Sequence, residues 1–242
     1  MSQALEGFIV VPNFISASEE TALVKELLGD DAPWLDKSHL RFSNTFQQEY
    51  GACISDAMEV VPGGRVLPLP PKSSQVAKRI AEESRRRKLV DGTSFDSESV
   101  GFLRVNHYDK IGGGYMHKHM DSHKCFGPVI ACCSLLADAA MTFYDTKGNS
   151  FGMAKVHQTV EVKIPRRSLY FMTGPARFQW QHGIRKDQCP VERLSLTFRT
   201  VRADAPVVGR DKDSKVSTKQ KLNKVKPTIM KRPASCMQLV FK

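Results

Sequence analysis

The sequence predicts a mainly β protein with flanking helices, whose core is an antiparallel sandwich or barrel. Three observations carry this expectation. From Val100 to Arg202 the chain breaks into short β-type runs separated by Gly, Pro, Asn and Asp. Two helix signatures stand upstream of those runs. And 242 residues with 41% hydrophobic content suffice for one generous domain and its core. The predicted divisions are residues 1–98 as the N-terminal helices of the same domain, 99–202 as the β core, and 203–242 as a basic, disordered tail.

The first helix begins at Ser16-Ala-Ser-Glu19, a capping box that satisfies two backbone donors at once. Leu23/Leu27 and Val24/Leu28 give it an apolar face, and Gly29 is a plausible stop. A polar, irregular stretch follows from Asp30 to Pro71. The second helix turns Val76, Ala77, Ile80 and Ala81 inward and ends in Arg85-Arg-Arg-Lys88, cations suited to a helix C-terminus. The predicted strands are Phe102–Tyr108, Val129–Leu136, Met141–Tyr144, Thr159–Ile164, Ser168–Met172 and Arg193–Thr200. After Asp204 the apolar content collapses, as in a disordered segment; Lys231-Arg-Pro there is a weak nuclear-localisation element.

Composition narrows the classes. No run approaches the roughly 20 apolar residues that span a bilayer, and the start has no basic region ahead of a long apolar run. The expectation is a soluble, intracellular protein of the cytoplasm or nucleus, a monomer that makes no membrane contact. Six cysteines without a C-x-x-C pair argue against a zinc ribbon and for free thiols. The net charge of +11 is uneven: residues 203–242 hold ten Lys/Arg against three Asp, or +7. Such a segment favours polyanions without choosing among nucleic acid, membrane surface and receptor.

The sharpest local feature is His119-Met-Asp121, followed by His182. Residues i and i+2 of a strand project to the same side, so His119 and Asp121 can bind one ion, with His182 arriving from another strand. Two His and one carboxylate make the facial triad that leaves positions open on iron(II). H-x-D alone is common and by itself reads as two solvated polar residues. His117-Lys-His119 offers a rival H-x-H pair, and His123 continues the alternation as a further ligand or a substrate contact.

The last strand adds independent support. Arg193, Ser195, Thr197 and Arg199 share one face, while Leu194, Leu196 and Phe198 share the other. Two arginines on an interior face are costly unless each meets an anion. Their Cα atoms lie roughly 20 Å apart, so a dicarboxylate such as 2-oxoglutarate fits between them, one fork reaching toward each end. The alternative is an edge strand with a wet face. Asn106 and Tyr108 repeat the parity and bring neutral donors.

Together these residues resemble the AlkB family of iron(II)/2-oxoglutarate dioxygenases, in the order Asn106-x-Tyr108, His119-x-Asp121, His182, Arg193-x-Ser-x-Thr-Phe-Arg199. The resemblance runs from about residue 6 to 202, through Ile164-Pro-Arg-Arg-Ser-Leu-Tyr-Phe-Met-Thr-Gly174 and Arg177-Phe-Gln-Trp-Gln-His-Gly-Ile184, and includes Tyr50-Gly51. It implies a double-stranded β-helix (jelly-roll) core under a substrate lid formed by the N-terminal helices and loops. It implies iron(II), 2-oxoglutarate and O2 as cofactor and cosubstrates, with His119, Asp121 and His182 as metal ligands. Arg193 and Tyr108 would hold the distal carboxylate of 2-oxoglutarate, and Arg199 and Asn106 would lie near the iron-chelating end. The implied reaction is hydroxylation or oxidative demethylation of a modified base, on tRNA in preference to DNA, with His123, Arg41 and Tyr50 at the substrate. Within the family the residues around His119–His123 resemble the eukaryotic branch acting on a modified wobble uridine in tRNA; His123 stands where the bacterial repair enzyme carries an acidic residue. The alternatives are the same chemistry on a protein side chain, or a non-catalytic module of this fold.

Overall fold

A computed structural model describes residues 5–35, 44–64, 67–89, 101–109, 114–149, 155–209 and 229–230. Twelve strands and three helices follow one another in these residues. In chain order they are β1 (Phe8–Val11), α1 (Ala17–Leu27), β2 (Trp34–Leu35), β3 (Phe46–Gly51), α2 (Pro71–Arg86), β4 (Phe102–Tyr108), β5 (Met116–His119) and β6 (Phe126–Leu135). Then come β7 (Ala139–Asp145), β8 (Gln158–Ile164), β9 (Leu169–Met172), α3 (Gly174–Phe178), β10 (Trp180–Ile184), β11 (Arg193–Val201) and β12 (Ile229–Met230). The larger sheet has the order β1-β9-β6-β11-β4-β3-β2-β12, the smaller one β5-β10-β7-β8. Every pairing between these strands is antiparallel.

Alternation along the strands divides the interior in two. Leu194, Leu196 and Phe198 of β11 join Leu103 and Val105 of β4 beneath Leu23, Leu27, Val76 and Ile80 of the helices. The other face of the large sheet meets the small sheet through Phe102, Ile130, Met141, Phe143, Tyr170 and Met172. The large sheet is thus the middle layer, and a one-residue slip of β11 would drive Arg193 and Arg199 into the helices. The helices are tied to each other by charge. α1 carries the capping box at Ser16 and Glu19, and Arg79 pairs with Glu19. α2 begins on Pro70-Pro71 with no cap of its own, and Glu26 of α1 accepts the backbone N–H groups of Lys72 and Ser73 (2.8 and 3.1 Å). At its far end Arg86 and Arg87 both grip Glu83, so half of the basic cluster is partnered within its own helix.

The predicted strands all appear, each shifted by no more than about three residues. β1, β2, β3, β5, β10 and β12 do not emerge from the sequence pattern, because β3 and β5 are too polar and β10 is interrupted by Gly183. The span placed in the tail also needs correction at its root. Ala205 and Val208 are buried, Val60 donates to the Pro206 carbonyl (2.7 Å), and Val208 donates back to Val60 (3.0 Å). These contacts pair Val207 in parallel with Val60. Short apolar side chains and a proline carbonyl make that attachment. Further on, Ile229–Met230 pairs with β2. The five described cysteines form no disulfide among the described residues. Among the described residues no helix is long and apolar enough to cross a membrane.

Candidate metal and cosubstrate site

Between the two sheets lies a cavity of about 680 Å³, lined by both layers. Its walls include His119, Asp121 and His182, together with Asn106, Tyr108, Ser195, Thr197 and Arg199. β5 and β10 are neighbours, with His119 and His182 directly opposite in register and their rings 4.4 Å apart. Gly183 allows this approach, since a Cβ there would sit 2.8 Å from the Met116 carbonyl oxygen and 2.9 Å from the Lys118 nitrogen. Asp121 follows just beyond the end of β5. One donor atom from each of the three residues lies within 4.8 Å of the other two.

The donor set suits a divalent transition metal. His119 Nδ1 donates to the His117 carbonyl (3.0 Å), which fixes the ring. Burial draws the His119 imidazole below its ordinary pKa and, with His119 alongside, draws His182 down to about 3. Both are therefore neutral, as ligation demands. Burial works to raise the Asp121 carboxyl, but the Arg199 guanidinium holds it well below the usual carboxylate range. Arg199 Nη2 donates to Asp121 Oδ1 (2.7 Å). Asp121 Oδ2 is buried without a hydrogen-bond partner among the described residues and faces His182 Nε2 at 3.9 Å. A buried anionic oxygen beside two neutral imidazoles is what a cation would satisfy.

Guanidinium groups make the complementary demand for an anion. Arg193 is fully buried. Its Nε donates to Ser134 Oγ (2.9 Å), its charge lies 5.0 Å from the Tyr108 ring centroid, and both Nη atoms are buried without partners among the described residues. Arg193 and Tyr108 are cross-strand partners, as are Ser195 and Asn106. Burial pushes the Tyr108 phenol up to about 12, so it stays a donor at neutral pH. Nε and Nη1 of Arg199 are likewise buried and unpartnered. These unmet donors on one strand fit a small dicarboxylate.

The residues expected at the substrate fare differently. His123 lines the cavity, with its ring edge-on to Phe178 (centroids 5.1 Å apart). Arg41 lies outside the described residues. Tyr50 is not in the cavity, a correction with a simple cause. On β3 the even positions face the helices, so Tyr50 is buried in the core beneath α1 and α2, where its hydroxyl donates to Gln48 Oε1 (2.8 Å). Gln47 takes the cavity-facing place instead. Two arginines had no role in the sequence reading. Arg104 shares the parity of Asn106 and Tyr108, lines the cavity and pairs with Glu49 (2.7 Å); extending the i, i+2 pattern one step back would have found it. Arg177 is buried against the loop that carries Asp121, and only its place within the Arg177–Ile184 stretch hinted at it.

Comparison with known proteins agrees with this geometry. Residues 7–199 match the 2OG-Fe(II) oxygenase superfamily. The chain is 28% identical over 199 residues to the mouse tRNA (carboxymethyluridine(34)-5-O)-methyltransferase ALKBH8, covering 80% of this chain and 26% of that protein. It is 22% identical over 200 residues to a Caenorhabditis elegans DNA N6-methyl adenine demethylase, covering 83% and 62%. It thus spans about a quarter of the first relative and under two thirds of the second. Its fold is similar to that in "The structure of OsALKBH1", with a TM-score of 0.57 at 15% identity over 82% of this chain and all of that one. The superfamily match across most of the chain, the AlkB relatives and the convergent triad together establish that this protein belongs to the 2OG-Fe(II) oxygenase superfamily as an AlkB-like dioxygenase that uses iron(II), 2-oxoglutarate and O2.

Proposed function

We propose that this dioxygenase oxidises a modified or alkylated base in nucleic acid, tRNA ahead of DNA. The observation that carries the reading is the shared cavity. Its metal-ligand wall and arginine-bearing strand open toward His123, Lys124 and Arg104, with Phe178 exposed against His123. An aromatic beside cationic and imidazole groups suits an unstacked base and its phosphates, and about 680 Å³ lies within the usual range of small-molecule sites. The relatives' activities, one on tRNA and one on DNA, favour the same class.

The bound metal and cosubstrates would supply the oxidation: 2-oxoglutarate becomes succinate and CO2, one oxygen atom entering succinate and the other a substrate C–H bond. On an N-methyl group the hydroxylated product releases formaldehyde. In this reading His119, Asp121 and His182 hold the metal. Arg193 and Tyr108 take the distal carboxylate of 2-oxoglutarate, while Arg199 and Asn106 border its other end. Arg199 thereby has two duties, since it also orients Asp121. The base must leave its stack or come from a loop to reach this depth.

Mass spectrometry of tRNA and methylated oligonucleotides after incubation with the protein, iron(II) and 2-oxoglutarate tests the reading. An oxidised nucleoside that requires 2-oxoglutarate is expected. Succinate formed on a protein substrate, with every nucleic acid unchanged, would overturn it.

A further inference from the structure

The three metal ligands are held in place in three different ways. His182 lies within β10, between β5 and β7, so the sheet ladder fixes its main chain. His119 is the last residue of β5 and has its ring tied to the His117 carbonyl. Asp121 belongs to no strand. Its carboxylate is oriented by Arg199, but orienting a side chain does not fix the backbone that carries it.

That backbone is held by Arg177. Nη1 of Arg177 donates to the Asp121 carbonyl (2.8 Å), and Nη2 donates to the Ser122 carbonyl (3.1 Å). The fork therefore spans two successive peptide units at the point where the chain leaves β5. Arg177 sits in α3, five positions before His182. The same short segment that delivers one ligand clamps the main chain of another. Its next residue, Phe178, meets the ring of His123, which lines the substrate side of the cavity.

This is an expensive way to hold a loop. Arg177 is 2% exposed, its Nε is buried without a partner among the described residues, and its two Nη atoms donate to neutral carbonyls. Burial draws its pKa down to about 10, which leaves it charged at neutral pH. The anion close to it is Asp121, whose charge favours the protonated guanidinium. Arg177 thus joins a geometric restraint on the ligand's backbone to a positive charge near its carboxylate.

We infer that Arg177 is a positioning residue for the metal carboxylate, holding Asp121 at ligating distance from His119 and His182. It touches neither metal nor cosubstrate and acts through the peptide units of Asp121 and Ser122. The inference rests on the metal-site reading and is independent of which substrate is oxidised.

Mn(II) titration of the protein, followed by EPR without any substrate, tests this directly. Outer groups that orient metal ligands typically change affinity by about 10–100-fold when lost, so Arg177→Met is expected to weaken Mn(II) binding by about that factor. Arg177→Lys keeps the charge but not the two-pronged fork, and is expected to fall between the two. At saturating metal the KM for 2-oxoglutarate should stay within about twofold of wild type, because the Arg177 fork is committed to the Asp121 and Ser122 carbonyls rather than to Arg193 or Tyr108. A residue that only supported the fold would lower the melting temperature and leave Mn(II) affinity of the folded protein unchanged. Arg177→Met binding Mn(II) within twofold of wild type overturns the inference. If Arg177→Met does not fold, the lysine variant decides by the same comparison. Wild-type protein that binds no Mn(II) would instead strike at the metal site itself.

Discussion

The two ends of β11 carry the same side chain in opposite electrostatic conditions. Arg199 meets the Asp121 carboxylate at 2.7 Å, so its charge is matched within the protein. Arg193, six residues earlier on the same face, has a serine hydroxyl and an aromatic ring for company and two unmet Nη atoms. One guanidinium is matched by a carboxylate; the other is buried with no anionic partner among the described residues. Identical residues at matching parity therefore do different work, and the partner decides which.

The largest expected effect breaks the matched end. Arg199→Met leaves Asp121 buried beside neutral imidazoles, a loss of about 3–5 kcal/mol in stability by chemical denaturation. The effect should depend on pH. The folded carboxyl titrates below its unfolded value, so its stabilisation is full above the unfolded pKa and fades as pH falls through the acid range. The wild-type stability curve should slope there, and the variant's should be flatter.

At the unmatched end the signs reverse. Arg193→Met removes a buried charge that lacks an ionic partner, so the apo protein should melt no lower than wild type. Its affinity for 2-oxoglutarate should fall by about 1.5–3 kcal/mol, roughly 10–150-fold by calorimetry with Mn(II) present. A variant that loses stability without losing 2-oxoglutarate would show that the two arginines are not distinguished as described.

A smaller change tests the strand approach that both ends serve. Gly183→Ala places a Cβ against the backbone of β5, and about 1–3 kcal/mol of stability should be lost together with Mn(II) affinity. The smallest effect belongs to Tyr50→Phe. It removes one buried hydrogen bond to Gln48, worth about 1 kcal/mol, and should leave turnover unchanged.

What could be read beforehand followed period and parity. β4 and β11 alternate cleanly, so spacing alone put Asn106 with Tyr108 and Arg193 with Arg199 on shared faces, while leaving open whether the β11 face was interior or wet. β5 and β10, which carry the histidines, do not look like strands. Met116-His-Lys-His119 is too polar, and Trp180-Gln-His-Gly-Ile184 contains a glycine whose reason is the facing strand. Tyr50 was misplaced because a motif gives residue identity but not the face of a strand, and β3 turns it toward the helices. Arg177 escaped because its acceptors are main-chain carbonyls, which leave no mark on sequence.

The Val60–Val207 pairing bears on how this protein should be trimmed. Asp56, Ala57 and Met58, just ahead of Val60, form part of the cavity wall. A chain cut after Asp204 would shed two hydrogen bonds to Val60 and the buried Ala205 and Val208 along with every downstream lysine. Any change in catalysis would then mix a loosened wall with a lost charge. Cutting after Gly209 separates the two.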